Sequence, residues 1–499
     1  MAGSDSDKRE KRLRQRVFLT VSAGVFMSTM DSSLVNVALP TLMQVFSTSL
    51  AVTEWVMLIY LLAITVLLVF WGRLCIHWGC GRIYTKGMVL FTAGSLLCGL
   101  APSVWFLIGF RFVQAVGASM MMATGPALIR SIYPPRLLGR GLGLIGVATS
   151  LGLMTGPVVS GLLLRWVHWR AIFLVTVPVG IAFVLFGRSS LMQVGKAAEP
   201  GSKGKITDCR GQPGRFDLTG SLLWAGTVSL TLLLATHATT LCCGKDFVPS
   251  FIFHAGSVCM VLSWLLFLWY EMRCPAPMLP LELFRQRFFA MAMVSSTLSF
   301  AVLFFVLILI PFYLDRILGL PSDRIGYVMM ALPLSVFIVS PLAGRLHDRV
   351  GAKFVATSGL LCCLVGMLLL TTLDRETTAL SVAFRLVLMG FGQAMFLAPN
   401  SASALANVTD EQAGLTASLL ATSRNFGMLA GTALGGLLFA VHFARETGGL
   451  DMRDFIPAAT PAFLFALKQT FLYGAALSAI SVIASWLRQP NGGQGRKGA

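Results

Sequence analysis

The chain has 499 residues, of which 56% are hydrophobic and only 12% charged, and its net charge is +18. A soluble globular chain carries about a quarter charged residues. With a mean hydropathy of +0.78 there is too little polar side chain to cover a soluble fold of this length. The composition therefore argues against a soluble enzyme, a disordered chain and a secreted disulfide scaffold.

The chain opens with Lys8, Arg9, Lys11, Arg12, Arg14 and Arg16. No small-residue cleavage site ends the apolar run behind them, so that run is expected to be a retained span and not a signal peptide. A bilayer-crossing helix needs about 20 mostly apolar residues. Fourteen such runs follow one another: 17–39, 51–71, 84–101, 104–131, 140–164, 171–190, 217–236, 250–270, 288–312, 323–343, 353–373, 379–405, 412–441 and 464–487. With the N-terminus inside, 27 of the 39 Lys and Arg fall on inside segments, nine fall outside, and Arg111, Arg385 and Arg424 lie within spans. A threefold bias of this sign supports the count and the orientation, and it accounts for the net charge without nucleic acid.

The stretch 191–216, rich in Gly, Lys and Pro, is expected to be a flexible cytoplasmic linker. Residues 442–463 form a shorter polar segment outside, with room for a little local structure. The ten cysteines contain no CxxC, so neither a metal site nor a disulfide framework is expected, and no HExxH or Walker pattern is present. No enzymatic activity, no metal and no cofactor are expected.

The chain contains a duplication. GRLCIHWGCGRIYTK (72–86) resembles GRLHDRVGAK (344–353), Arg111 matches Arg385, and GLMTGPVVSGLLL (152–164) aligns with GMLAGTALGGLLF (427–439), all at nearly the same offset. The expected architecture is all-α and polytopic. It has an N-terminal six-helix half (1–190), the linker (191–216), two extra spans (217–270), a cytoplasmic loop (271–287) and a C-terminal six-helix half (288–499). Paired six-helix repeats are transporter architecture. Both halves carry small residues at a spacing of four: Gly152, Gly156 and Ser160, then Gly427, Gly431 and Gly435. Such ridges let helices approach closely in lipid, and Pro157 is placed to kink the first of them.

Ionisable groups deep in a span are costly and default to functional candidates. Asp31 lies eight residues before the outer end of its run, about 12 Å deep, and Arg111 lies seven residues after the start of its own, about 10 Å deep. The two are level, so they can pair or compete for one proton. Gln114 shares the Arg111 face. A carboxyl whose contact with an arginine is made and broken can take up and release a proton; the alternative is a static buried ion pair. The repeat position matching Asp31, near Leu303, has no acid. Arg424 has no evident acidic partner in sequence and is a candidate for substrate contact. Asn36, Tyr60, Met121 and Asn400 are further candidates to line a polar or adaptable cavity, whereas Glu54 reads as an interfacial residue near the outer surface.

These residues resemble a known family. MDSSLVNVALP (30–40), GRLCIHWGCGR (72–82), RFVQAVGAS (111–119), GLMTGPVVSG (152–161) and WRAIFLVTVPVG (169–180) are similar to the signatures of the 14-spanner drug:proton antiporters of the major facilitator superfamily. The resemblance spans the chain, including the two extra central helices. It implies proton-driven export of lipophilic, often cationic compounds across the cytoplasmic (inner) membrane of a bacterium, with both termini cytoplasmic. It implies a proton-coupling role for Asp31 and Arg111. It also implies conformational gating by Gly72, Gly79 and Arg82, by their second-half equivalents Gly344, Asp348, Arg349 and Gly351, and by Gly152, Gly156, Pro157 and Gly161. The partners it implies are protons, small lipophilic substrates and the bilayer; it leaves open whether a periplasmic adaptor exists. Two departures stand out. Ile76 replaces the family's Asp in the first-half loop motif, which puts that half's cytoplasmic latch in doubt, and Ser160 replaces a glycine. The alternatives are an exporter of one metabolite (a siderophore, peptide or amino acid) on the same scaffold and, more distantly, a non-transporting membrane sensor.

Overall fold

The computed structural model describes residues 2–133, 135–197, 217–242, 250–274, 281–406 and 410–488. Among them no strand occurs, and fourteen long helices carry the fold. They are α1 (Ala2–Val45), α2 (Leu50–Trp78), α3 (Cys80–Gly99), α4 (Val104–Ile132), α5 (Pro135–Trp166), α6 (Thr176–Ala197) and α7 (Leu218–Cys242). After these come α8 (Ser250–Arg273), α9 (Arg287–Arg316), α10 (Ser322–Val350), α11 (Ala352–Leu370), α12 (Ala379–Ala406), α13 (Asp410–Thr447) and α14 (Thr460–Trp486). Each apolar run of the sequence falls on one of them. Thirteen contain stretches long and apolar enough to cross a bilayer, and the twenty-residue α3 packs among them. Helices dominate for a physical reason: in hydrocarbon every backbone donor and acceptor must be paired within the protein, and a helix does so within one segment.

One boundary of the sequence reading is corrected, and the local structure expected in the outer segment is present. Residues 191–197, placed in the linker, continue α6, whose Leu191 is buried with its backbone packed on Gly81 of α3; the rest of that linker, 198–216, lies outside the described residues. The outer segment 442–463 begins as the last turn of α13 and then holds two short 3-10 turns, Met452–Asp454 and Pro457–Ala459. In the first of these, the Asp451 carboxylate accepts from the Arg453 amide at 2.9 Å.

The chain divides into two compact units, residues 1–228 with 319–330, and residues 229–318 with 331–499. In the first, α1 packs on α5, α4 and α6, and α3 packs on α4 and α6. In the second, α9 packs on α13, α12 and α14, and α11 packs on α12 and α14. Shifting every label by eight turns one set into the other, so the packing repeats as the sequence does. Helices α7 and α8 fall outside this correspondence. Trp224 of α7 donates to the Thr65 carbonyl at 3.5 Å within the first unit, and Trp264 of α8 donates to the Thr231 hydroxyl at 3.1 Å within the second.

Two glycines make the tight reversals between consecutive helices. Gly79 (φ +83°) joins α2 to α3, and Gly351 (φ +92°) joins α10 to α11. Both take the left-handed region, where a side chain is strained. The duplicated loop motif thus has a backbone reason to keep glycine at these two positions.

Candidate functional site

The site in the first unit is built on the contact of α1 with α5. A Cβ at Gly152 would collide with the Thr29 hydroxyl and come within 2.6 Å of the Phe26 carbonyl oxygen, and one at Gly156 would meet the Ser33 Cβ at 2.5 Å. The absence of side chains there brings the two backbones together. Two hydrogen bonds then cross the seam: Ser33 donates to the Leu153 carbonyl at 3.0 Å and Ser160 to the Leu34 carbonyl at 2.8 Å. Ser160, the departure from the family pattern, is therefore a bonded contact. Gly161 of α5 and Gly326 of α10 let the start of α10 pack closely on α5 within the same unit, where Arg165 and Asp323 form an ion pair at 2.5 Å. Pro157 is buried at this contact, its carbonyl against Gly326.

This seam fixes α1 so that Asp31 meets Arg111 of α4. Both residues are 0% exposed. Arg111 Nη1 donates to Asp31 Oδ2 at 2.5 Å and to Gln114 Oε1 at 2.7 Å. Gln114 Nε2 donates to Asp31 Oδ1 at 2.9 Å and to the Ser95 hydroxyl at 2.7 Å. Arg111 Nε donates to the Val56 carbonyl of α2 at 3.1 Å, and the guanidinium lies 4.2 Å from the Tyr60 ring centroid. Tyr60 is in turn held by Ser28, hydroxyl to hydroxyl at 3.0 Å. Four helices thus contribute to one buried ion pair, whose amide neighbour bonds both partners. Neutralising Asp31 would remove the counter-charge of Arg111 and weaken the bonds from both donors at once.

Tyr60, a cavity candidate by sequence, is instead part of this network. Met121 is fully buried against α1 beside Gly24, and Asn36 is buried with its Oδ1 unpartnered among the described residues. Glu54 is corrected outright. It is 3% exposed, not interfacial, and its Oε1 has no described partner. Proximity to the end of the span suggested an exposed residue; packing around the start of α2 removes it from solvent.

The second unit does not reproduce the pair. Arg385 donates to the Thr372 hydroxyl at 3.2 Å, and Leu303 is buried where Asp31 would be. Its inner polar contacts are Ser299 donating to Gln393 Oε1 at 2.8 Å, Arg424 donating to the Ser401 hydroxyl at 3.5 Å, and Asn400 accepting from Arg488. Gln393 and Arg488 escaped the sequence reading, the latter because a lone arginine after the last span reads as an ordinary inside charge.

The gating residues divide by environment. Gly72 and Gly344 have open space around them, Gly79 and Gly351 make the reversals, and Arg82 and Arg349 are exposed. The side chains of Ile76 and Asp348 lie outside the described residues. The structure corrects the reading of the cysteines: Cys75 and Cys80 are joined as a disulfide across the Gly79 reversal, with Cα atoms 4.5 Å apart. A spacing of five seldom suggests a bridge, and here the left-handed glycine folds the two ends together. No cluster that could hold a metal ion occurs among the described residues.

The sequence model of the Major Facilitator Superfamily matches residues 21–270 and 288–499. The chain is 30% identical over 467 residues to the riboflavin transporter RibZ of Clostridioides difficile, covering 94% of this chain and 96% of that protein. It is 31% identical over 430 residues to the multidrug resistance protein Stp of Mycobacterium tuberculosis, covering 86% and 76%. Among solved structures it resembles a peptide transporter POT bound to alafosfalin, with a TM-score of 0.65 at 14% identity, covering 96% and 99% of the two chains. It also resembles a bacterial homologue of the human lysosomal transporter Spinster, with a TM-score of 0.62 at 15% identity, covering 95% and 97%. With the duplicated helix packing, the buried pair of the first unit and a family match over nearly its whole length, the chain belongs to the Major Facilitator Superfamily and is a multi-pass membrane transporter.

Proposed function

We propose that the protein is a proton-coupled antiporter that exports lipophilic, often cationic compounds by alternating access across the bacterial inner membrane, with both termini in the cytoplasm. One observation carries the reading: Asp31, Arg111 and Gln114 form a fully buried network in the first unit, while the matching place in the second holds Leu303. Protonation of Asp31 would release Arg111 and Gln114, and deprotonation would draw them back, so proton occupancy is tied to the arrangement of α1 and α4. Inward proton movement supplies about 2.3 kcal/mol per charge for each 100 mV of potential. The export of drugs is supported by the relatives named for multidrug resistance.

A second reading is transport of a single metabolite on the same scaffold, favoured by the full-length similarity to a protein named as a riboflavin transporter. Inverted vesicles separate the two. A panel of dyes and drugs, with riboflavin among single metabolites, is offered with and without a proton gradient. Gradient-dependent uptake of many unrelated compounds, lost in Asp31→Asn, is expected. Uptake of one compound alone selects the second reading, and uptake indifferent to the gradient removes proton coupling.

A further inference from the structure

The Cys75–Cys80 bridge lies on a reversal that its repeat makes without one. In the first unit the Gly79 amide donates to the Cys75 carbonyl at 3.0 Å, and in the second the Gly351 amide donates to the His347 carbonyl at 2.9 Å. Both glycines are left-handed, with φ +83° and +92°. In the second unit His347 and Ala352 stand where the first has Cys75 and Cys80, so the same turn forms there with no sulfur. The bridge also joins residues only five positions apart, and the shorter the closed loop, the less entropy a bridge removes from the unfolded chain. The bridge is thus not what makes the turn.

Its position points to a chemical role. The charge bias predicts that this reversal faces the cytoplasm, where thiols are kept reduced and a bridge is usually transient. The two sulfurs differ in access. Cys75 is 4% exposed and packs with Ile83 and Met120. Cys80, the first residue of α3, is half-buried, and Trp78 two residues before it is exposed. A small disulfide therefore reaches Cys80 first, and Cys75, with its Cα 4.5 Å from that of Cys80, lies in range to complete the bridge. A Cβ at Gly79 would meet nothing within 4 Å, so packing does not stiffen the turn at that glycine, and the covalent bond adds the restraint.

We propose that Cys75 and Cys80 are a reversible redox switch at the α2–α3 reversal, bridged by oxidised glutathione and reopened by glutathione, and that the bridged form slows transport. The Cys80 thiolate attacks oxidised glutathione, whose S–S bond breaks to release one glutathione and leave the other as a mixed disulfide on Cys80. The Cys75 thiolate then displaces that second glutathione. In total two thiols are oxidised to one disulfide, one oxidised glutathione is reduced to two glutathiones, and the two thiol protons pass to them. The effect on transport rests on the alternating-access reading above; the bridge chemistry does not.

The test uses the purified full chain in lipid vesicles, equilibrated in glutathione buffers of rising oxidised fraction, then denatured, alkylated and digested with trypsin. One tryptic peptide, 74–82, holds both cysteines. Read by mass, it should carry two alkyl groups at the cytosolic glutathione ratio and none once the oxidised fraction is high. In Cys75→Ser the same peptide should keep one glutathione on Cys80. Cys80→Ala, with the residue that the second unit has there, should show neither change. Gradient-driven uptake should fall by roughly threefold or more on bridging, as when a restraint disfavours one of two conformations, and should stay constant in Cys80→Ala. A peptide still bridged at the cytosolic ratio, or never bridged in excess oxidised glutathione, overturns the switch. So does uptake unchanged on bridging, or uptake that responds equally in Cys80→Ala. Uptake absent from the wild type in every buffer counts against the antiporter reading instead. Hydrogen exchange of the 76–80 amides, expected to slow on bridging, then decides the restraint, and equal exchange in the two forms overturns it.

Discussion

At the scale of single residues, the buried charges differ by what surrounds them. Asp31 and Arg111 compensate each other, so removing one leaves the other buried and unpaired, at about 3–5 kcal/mol. Asp31→Asn should therefore lower the unfolding temperature of the purified protein and abolish gradient-driven uptake in vesicles, while the polypeptide still inserts in the membrane. Adding Arg111→Gln to Asp31→Asn should restore part of the stability and none of the uptake. If instead the double variant is as unstable as the sum of its parts, the pair is not coupled. Arg111→Ala should abolish uptake and Arg385→Ala should be milder, because among the described residues Arg385 bonds the Thr372 hydroxyl and forms no buried ion pair; equal loss at equal protein level would mean a shared structural role. Among the described residues Glu54 has no cation to lose. Glu54→Gln should leave the unfolding temperature unchanged or higher, and a drop comparable to that of Asp31→Asn would reveal a partner.

At the scale of helices, glycines that look alike in sequence do different work. Gly156 and Gly431 sit where α5 meets α1 and α13 meets α9. A side chain at Gly156 would press on Ser33, and one at Gly431 would come within 2.7 Å of the Ala301 Cα. Gly156→Val and Gly431→Val should each cost roughly 1–3 kcal/mol, read as lower yield and earlier unfolding. Gly72 and Gly344 lie inside helices with open space beside them. There Gly→Ala should stabilise by about 0.5–1 kcal/mol. Gly79→Ala and Gly351→Ala, in equally open space, should destabilise by about 1–2 kcal/mol, because the left-handed backbone itself resists a Cβ. Uptake measured on the stable Gly72→Ala and Gly344→Ala variants then isolates gating: lost transport in a well-folded protein means that these positions are filled closely in another conformation. If both keep full transport, their place in the loop motif is structural.

At the scale of the whole molecule, the distribution of Lys and Arg predicts an orientation with both termini inside. Reporter fusions placed after residue 205 and after the C-terminus should report the cytoplasm, and a fusion at residue 452 should report the opposite side. A reversed pattern would overturn the charge-based orientation and with it the inward direction of the proton in the proposed mechanism. The two units share a helix-packing scheme but not a charge scheme. One holds a compensated acid–base pair and the other holds arginines set among hydroxyls and amides. Duplication preserved the backbone contacts made by small residues and left each unit free to diverge at its buried polar positions.

By itself the sequence determined the helical class, the number and order of the spans, the duplication and the level placement of Asp31 with Arg111. These follow from local rules: the bilayer demands runs of fixed length, a rise of 1.5 Å per residue converts position into depth, and a repeated glycine pattern shows in the residue order. The tertiary structure alone decided the rest. Tyr60 joined the Arg111 site because α2 passes α1 and α4 there, Glu54 became buried, and Cys75 reached Cys80 around Gly79. Arg488 met Asn400 from 88 residues away. Depth is a property of one helix, but burial, the identity of a charge's partner and the azimuth of a side chain depend on which helices lie beside it. Those neighbours are set by packing between segments far apart in the chain, and a reading of one segment at a time does not contain them.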